Sequence, residues 1–381
     1  MSAAVPAEAR RMKLFILAGE PSGDRIGADL VRRLRQRVDV ELAGVGGDEL
    51  TTEGLVPLYP MSDLAVMGIS DVLRRLPLLL WRVEQTARAI ARSRPDITVL
   101  IDSQEFSKLV AQRLRAKGFD RPVLLYVAPS VWARAPHRAA RLNPLFAEVL
   151  CVLPFEPNVM QDLGGPSASY VGHPALSEVQ PARFNQSGLV ALLPGSRQGE
   201  LRRHLPVMRA AAEELARQDG VEGFFIPTLQ SLADSLAAET AAWPVKVEIV
   251  ADRARRAELY PRTVFALTVA GTATLELALA GVPMLAVYVM DPHQARVYDK
   301  LGRPPVSLPN IILGHKVVPE IIRGEPPVEE VIAAARDLLA DEKARRSQGE
   351  AFGELVRLMR EGAPEAPRQD PAERILAHWR G

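Results

Sequence analysis

The stretch Lys13-Leu-Phe-Ile-Leu-Ala-Gly-Glu-Pro-Ser-Gly-Asp24 carries an apolar run into a turn of small residues and then into helical sequence. A run without polar alternation marks a strand buried on both faces, as in a parallel sheet covered by helices. The same order returns along the chain. Further strands are predicted at Val40 to Val45, Ile97 to Ile101, Val123 to Val127 and Val149 to Leu153. After a break they resume at Leu189 to Leu193, Gly223 to Ile226, Val245 to Val250, Phe265 to Val269 and Pro283 to Val287. The break, Ser177 to Gly188, contains Pro181, Asn185 and Ser187 and reads as a linker. The expected fold is α/β: two Rossmann-like domains, residues 1–180 and 181–381, with parallel sheets facing across a cleft and C-terminal helices after Pro326.

Composition narrows the function. The 381 residues are 48% apolar, enough for two cores, and carry 47 basic against 46 acidic side chains, a net charge of +1. That balance disfavours nucleic acid, which rewards a strongly cationic surface. The single cysteine, Cys151, lies in an apolar run and excludes an internal disulfide, which suggests a reducing, cytoplasmic address. Leu14 to Ala18 is too short for a signal-peptide core. The uncharged stretches Thr263 to Leu275 and Leu277 to Met290 fall short of a bilayer span.

In open parallel sheets ligands bind beyond the carboxyl ends of the strands, so the loops there carry the chemistry. Ala18-Gly-Glu-Pro-Ser-Gly-Asp24, which includes Glu20, suits an oxygen-rich ligand or simply a tight turn; it does not fit the dinucleotide fingerprint G-x-G-x-x-G. Leu193-Pro-Gly-Ser-Arg-Gln-Gly-Glu200 offers Gly195, Ser196 and Arg197 to a pyrophosphate, or is a plain strand-to-helix turn. Ala270-Gly-Thr-Ala-Thr-Leu-Glu276 presents Gly271 and Thr272 at a helix start. Its Glu276 is placed to accept ribose hydroxyls or to complement the helix dipole. Asp102-Ser-Gln-Glu105-Phe-Ser107 follows a strand with two carboxylates: Asp102 suits a general base, but Asp102-x-x-Glu105 equally fits a helix cap. His173, in Val171-Gly-His-Pro174, is a secondary catalytic candidate. No Asp-x-Asp and no close histidine pair occurs, so a dedicated metal site is not indicated. Asp63 to Val83, with Met67, Leu79, Leu80 and Trp81 beside Arg74, Arg75 and Arg82, suits either a membrane surface or a buried core helix.

Together the motifs resemble lipid-A-disaccharide synthases. The matching pieces are the first loop, Leu64-Ala-Val-Met-Gly68, Arg75-Leu-Pro77, Ser130-Val-Trp-Ala133, Leu153-Pro-Phe-Glu156, Val171-Gly-His-Pro174, Leu193-Pro-Gly-Ser-Arg197 with Glu200, Gly271-Thr-Ala-Thr-Leu-Glu276 and Val306-Ser-Leu-Pro-Asn310. The resemblance implies a GT-B glycosyltransferase that joins UDP-2,3-diacylglucosamine to 2,3-diacylglucosamine 1-phosphate, making a β(1→6) disaccharide and UDP. It also implies an inverting reaction without metal or other cofactor at the inner face of the cytoplasmic membrane, and a homodimer. The second domain would hold UDP through Arg197, Glu276 and Asn310; the first would hold the lipid acceptor, with Asp102 as base and Trp132 in the acceptor region. Where the family usually reads Asp-x-x-Asp-Phe-Asn this chain has Glu105 and Ser107, and Arg134 stands where a second tryptophan is usual. These changes leave the nucleotide half intact. They make a different glycolipid acceptor the second reading, with a UDP-sugar 2-epimerase and a UDP-sugar or glycolipid binder without turnover behind it.

Overall fold

The structure is a computed structural model that describes residues 11–64, 69–133, 135–178 and 184–380. It divides into two compact units, 1–174 with 361–381, and 175–360.

In the first unit, β1 (Met12–Ala18), β2 (Val40–Val45), β3 (Ile97–Ile101), β4 (Val123–Tyr126), β5 (Glu148–Cys151) and β6 (Ala168–Tyr170) form one parallel sheet in the order β2-β1-β3-β4-β5-β6. Every residue of β3, β4 and β5 is buried, as expected of strands covered on both faces; Thr98 and Glu148 are the polar members of these otherwise apolar runs. The second unit repeats the plan with β7 (Gly188–Leu193), β8 (Val221–Pro227), β9 (Val247–Val250), β10 (Thr263–Thr268), β11 (Met284–Val289) and β12 (Glu320–Arg323), ordered β12-β11-β10-β7-β8-β9. Each sheet packs helices over its own core, around Leu100, Leu125 and Val149 in the first and Phe265, Leu267 and Leu285 in the second.

These orders fix where a ligand can sit. The chain runs outward from β1 to β2 and then returns to the other side of β1 as β3; it does the same from β7 through β9 back to β10. The crevices at these reversals lie between the loops after β1 and β3, and between those after β7 and β10.

Two features depart from the sequence reading. The strands β6 and β12 were not foreseen. Both are short edge strands with one neighbour each, so a few residues such as Ala168-Ser-Tyr170 suffice and leave little pattern to read. The C-terminal tail was assigned to the second domain, but residues 361–381 pack on the first unit. Its helix Pro371–Arg380 buries Ala372, Ile375 and Leu376 and brings Arg374 and His378 onto Glu148 of β5. Arg33 of the helix Pro21–Arg35 and Arg37 just beyond its end bind Asp370, and Arg37 also binds Glu373. Glu148 is wholly buried. Burial favours its neutral form, yet the bonds from His378 and Arg374 outweigh that and hold its carboxyl below the usual range.

Candidate functional site

The first crevice is built from two touching loops. A Cβ on Gly19, after β1, would fall 2.0 Å from Ser103 Oγ, after β3, so only glycine lets the loops approach this closely. Glu20 occupies the N-cap position of the helix Pro21–Arg35 at this junction. The first loop's other acid is spent internally. Asp24, buried, accepts the N–H groups of Gly47, Glu49 and Leu50 at 2.7, 2.9 and 3.3 Å, which ties the loop after β1 to that after β2.

Asp102 leaves β3 in the left-handed region, φ +52°, and Ser103 follows at +43°. Two consecutive non-glycine residues there cost on the order of 1–3 kcal/mol each and hold the Asp102 side chain out of the helix that follows. The helix Gln104–Ala116 begins after Ser103, and Asp102 is not its N-cap, so the capping reading of Asp102-x-x-Glu105 is corrected. Glu105 is exposed and pairs with Arg138 and, at 3.7 Å, with Lys108. Ser107 is buried, and its hydroxyl donates to the Asp102 carbonyl oxygen at 2.8 Å. Among the described residues no cation pairs with Asp102. Burial pushes its carboxyl above the usual range, opposed only by a hydrogen bond from the Ser103 N–H. A half-buried carboxylate whose affinity for a proton is raised by burial, at a sheet reversal, can take a proton from a bound hydroxyl.

The remaining candidates of this unit lie apart. His173 follows the edge strand β6, three strand spacings from β3, or about 14 Å. Trp132 is anchored by Glu156: its Nε1–H donates to Glu156 Oε1 at 3.4 Å and its ring meets Phe155 edge to face, 5.3 Å between centroids. Glu156 also accepts the N–H groups of Val152 and Leu153, and its burial pushes the carboxyl up to about 7. Met67 and Arg134 lie outside the described residues. On the helix Ile69–Ser93, Leu80 and Trp81 are 47% and 56% exposed, whereas Leu79 is half-buried against the core. Of the residues suited to a membrane surface, Leu79 therefore belongs to the core side, and the exposed apolar side chains are Leu76, Leu80 and Trp81. The Arg82 guanidinium lies 4.2 Å from the Trp81 ring centroid and is fixed by Asp63.

In the second unit the two loops at the reversal differ in openness. After β7, Glu200 accepts the N–H groups of Ser196 and Arg197 at 3.1 and 3.3 Å and one bond from the Arg197 guanidinium at 3.1 Å. These backbone donors, expected to be available to a pyrophosphate, are already taken. Gly195, φ +103°, is required because a Cβ would press on Glu200. The Arg197 side chain itself remains 82% exposed. After β10, by contrast, Gly271 has φ +125° with nothing within 4 Å of a built Cβ, and the helix Thr272–Leu279 starts there without a side-chain cap. Its N-terminus is open to an anion. Glu276, in the same helix, accepts from Arg256 and Tyr260.

Asn310 differs from expectation. Its side chain is buried and fully used: Oδ1 accepts the N–H groups of Val317 and Val318, both at 2.8 Å, and Nδ2 donates to the Val318 carbonyl and to Glu320. It braces the loop before β12. A hollow of about 590 Å³ adjoins it at β12, two strands from the open helix start, with Tyr298, Arg303, Lys316 and Arg323 in its wall. Among the described residues no group of His, Cys, Asp and Glu side chains could hold a metal ion, and no helix is long and apolar enough to cross a membrane.

Comparison with known proteins bears on what this site serves. Residues 14–369 match the model of the family described as lipid-A-disaccharide synthetase. The lipid-A-disaccharide synthase of Nitrobacter hamburgensis is 36% identical over 376 residues, covering 96% of this chain and 95% of that protein. Among solved structures, the S. aureus MnaA–UDP co-structure aligns with a TM-score of 0.63 at 14% identity over 96% of this chain and 95% of that one. Acinetobacter baumannii MurG aligns with a TM-score of 0.55 at 14% identity, covering 97% and 99%. At such identity the structural likenesses speak for the fold alone, and that fold is GT-B.

Proposed function

The chain belongs to the lipid-A-disaccharide synthetase family and is a disaccharide-forming glycosyltransferase; on that premise we propose which residues carry the reaction. The donor is UDP-2,3-diacylglucosamine and the acceptor 2,3-diacylglucosamine 1-phosphate. The acceptor's 6-hydroxyl oxygen attacks the anomeric carbon of the donor, its proton passes to Asp102, and the bond from that carbon to UDP breaks on the opposite face, giving the β(1→6) product. The observation that carries this assignment is the Asp102 carboxylate, half-buried, without a cation among the described residues, and held at the reversal of the first sheet.

In the second unit the open N-terminus at Gly271 and Thr272 meets the diphosphate, Arg197 extends its exposed guanidinium from the neighbouring loop, and Glu276 meets the ribose. The reading gives the leaving group's charge to these groups, with no cofactor. Leu76, Leu80 and Trp81, flanked by Arg74, form a contact with the membrane surface from which both lipids are drawn.

The test is incubation of the purified chain with both lipids, read by mass spectrometry. The tetraacyl disaccharide phosphate and one equivalent of UDP are expected. UDP release only with another glycolipid acceptor would move the acceptor assignment and implicate Glu105, Ser107 and Arg134.

A further inference from the structure

Glu276 is held by one oxygen only. Arg256 Nη1 donates to its Oε1 at 3.1 Å and the Tyr260 hydroxyl donates to the same atom at 3.2 Å. Oε2 has no partner among the described residues. Both donors precede β10, Arg256 on the helix Arg253–Leu259 and Tyr260 in the turn Tyr260–Arg262; Glu276 lies on the helix that leaves β10. The segment entering the strand thus clamps the segment leaving it.

The two donors are themselves fixed. Tyr260 is buried, with its ring 6.2 Å from that of Phe225 in β8. The Arg256 side chain is four-fifths buried, and among the described residues its Nε is buried without a hydrogen-bond partner. Burying an unsatisfied N–H is costly, and the bond that this side chain makes in return is the one from Nη1 to Glu276. A carboxylate held at one oxygen by two donors is restricted in orientation, which directs the other oxygen. An ionised carboxylate oxygen accepts hydroxyl protons and repels other acceptors, so it selects for a sugar that carries a hydroxyl at that point.

We propose that Arg256 and Tyr260 are positioning residues that grip Glu276 through Oε1 and present Oε2 to the vicinal hydroxyls of a ribose, making the site selective for ribonucleotides over deoxyribonucleotides. This rests on the placement of UDP at the loop after β10. Neither residue touches the nucleotide; each acts through the orientation of Glu276.

The test is calorimetry of UDP, 2′-deoxy-UDP and 3′-deoxy-UDP on the full chain and on Glu276→Gln, Tyr260→Phe and Arg256→Gln. The full chain is expected to lose at least about tenfold in affinity when the recognised hydroxyl is removed, as for a hydrogen bond to a charged group. Tyr260→Phe keeps the buried ring, so the fold persists, and its penalty for the missing hydroxyl is expected to shrink to about threefold or less; Arg256→Gln is expected to shrink it likewise. If Glu276→Gln abolishes the penalty while Tyr260→Phe and Arg256→Gln retain it in full, the positioning role is overturned and the placement of UDP stands. If Glu276→Gln leaves both the UDP affinity and the penalty unchanged, the ribose does not meet Glu276, and the placement and the inference fall together.

Discussion

The hydroxyl of Ser107 donates to the carbonyl oxygen of Asp102 at 2.8 Å, across the first turn of the helix Gln104–Ala116. The Ser107 N–H meanwhile donates to the Ser103 carbonyl at 2.9 Å, so one residue fastens both members of the left-handed pair that carries the carboxylate. Ser107→Ala removes a buried hydroxyl and releases the Asp102 carbonyl, while the backbone bond to Ser103 remains. It is expected to cost about 1 kcal/mol of stability and to lower kcat by about three- to tenfold with UDP affinity unchanged. Denaturant melts and steady-state kinetics measure both; an unaltered kcat would mean that the turn holds its shape without this bond.

Glu156 gives a signature in pH. Its carboxyl is raised from 4.5 to about 7 because burial disfavours the charge. A raised value means that the fold prefers the protonated form: the stabilisation is complete below about pH 4.5 and is lost as pH rises through 7, a change on the order of 3 kcal/mol. Relative to Glu156→Gln, which stays neutral, the wild-type melting temperature should fall between about pH 5 and pH 7 and level off above that. A constant difference over that range would show that Glu156 is ionised throughout.

The returning C-terminal helix depends on Glu148. Arg374 binds it through Nε and Nη2 at 2.9 and 3.0 Å, and His378 Nε2 lies at 2.7 Å. Because its folded value is lowered, Glu148 contributes stability at neutral pH that is lost as pH falls through that value. Arg374→Met strands a buried carboxylate and is expected to cost about 3–5 kcal/mol. Urea unfolding monitored by hydrogen exchange in β5 and β6 would locate the loss in the first unit. A cost below 1 kcal/mol would mean that His378 alone satisfies the charge.

The membrane contact rests on side chains that the core does not need. Leu80→Ser with Trp81→Ser is expected to weaken binding to anionic vesicles at least about tenfold while leaving the melting temperature within a few degrees. Leu79→Ser serves as the contrast, since that side chain packs on the core and should lower stability instead. Equal vesicle binding by the double variant and the wild type would place the contact elsewhere.

Much of the fold was legible because strands buried on both faces write their burial as largely apolar runs: Ile97 to Ile101 reads as β3 to the residue. The edge strands β6 and β12 and the allegiance of the tail were not. An amphipathic helix such as Pro371–Arg380 declares that it has a partner without saying which sheet supplies it. The acids were legible as residue types but not as roles. Asp24, Glu156, Glu200 and Glu320 all accept backbone N–H groups of their own chain, and a loop that satisfies its donors internally has the same sequence signature as one that offers them to a phosphate. Asn310 shows the same ambiguity, since its amide bonds to Val317, Val318 and Glu320. Asp102 carried the opposite error: its spacing from Glu105 imitates a cap, and only the left-handed backbone at Asp102 and Ser103 removes it from that duty.

The central claim, that Asp102 is the base, is tested most directly by turnover of Asp102→Asn at saturating donor and acceptor. Asparagine keeps the size and the hydrogen-bonding oxygen but cannot hold the proton. The variant should fold with a melting temperature at neutral pH equal to or above the wild type, because burial penalises the ionised carboxylate. Its UDP affinity should be unchanged and kcat should fall at least about a hundredfold, the scale of general-base assistance. A folded Asp102→Asn enzyme with turnover within about threefold of wild type would contradict the account.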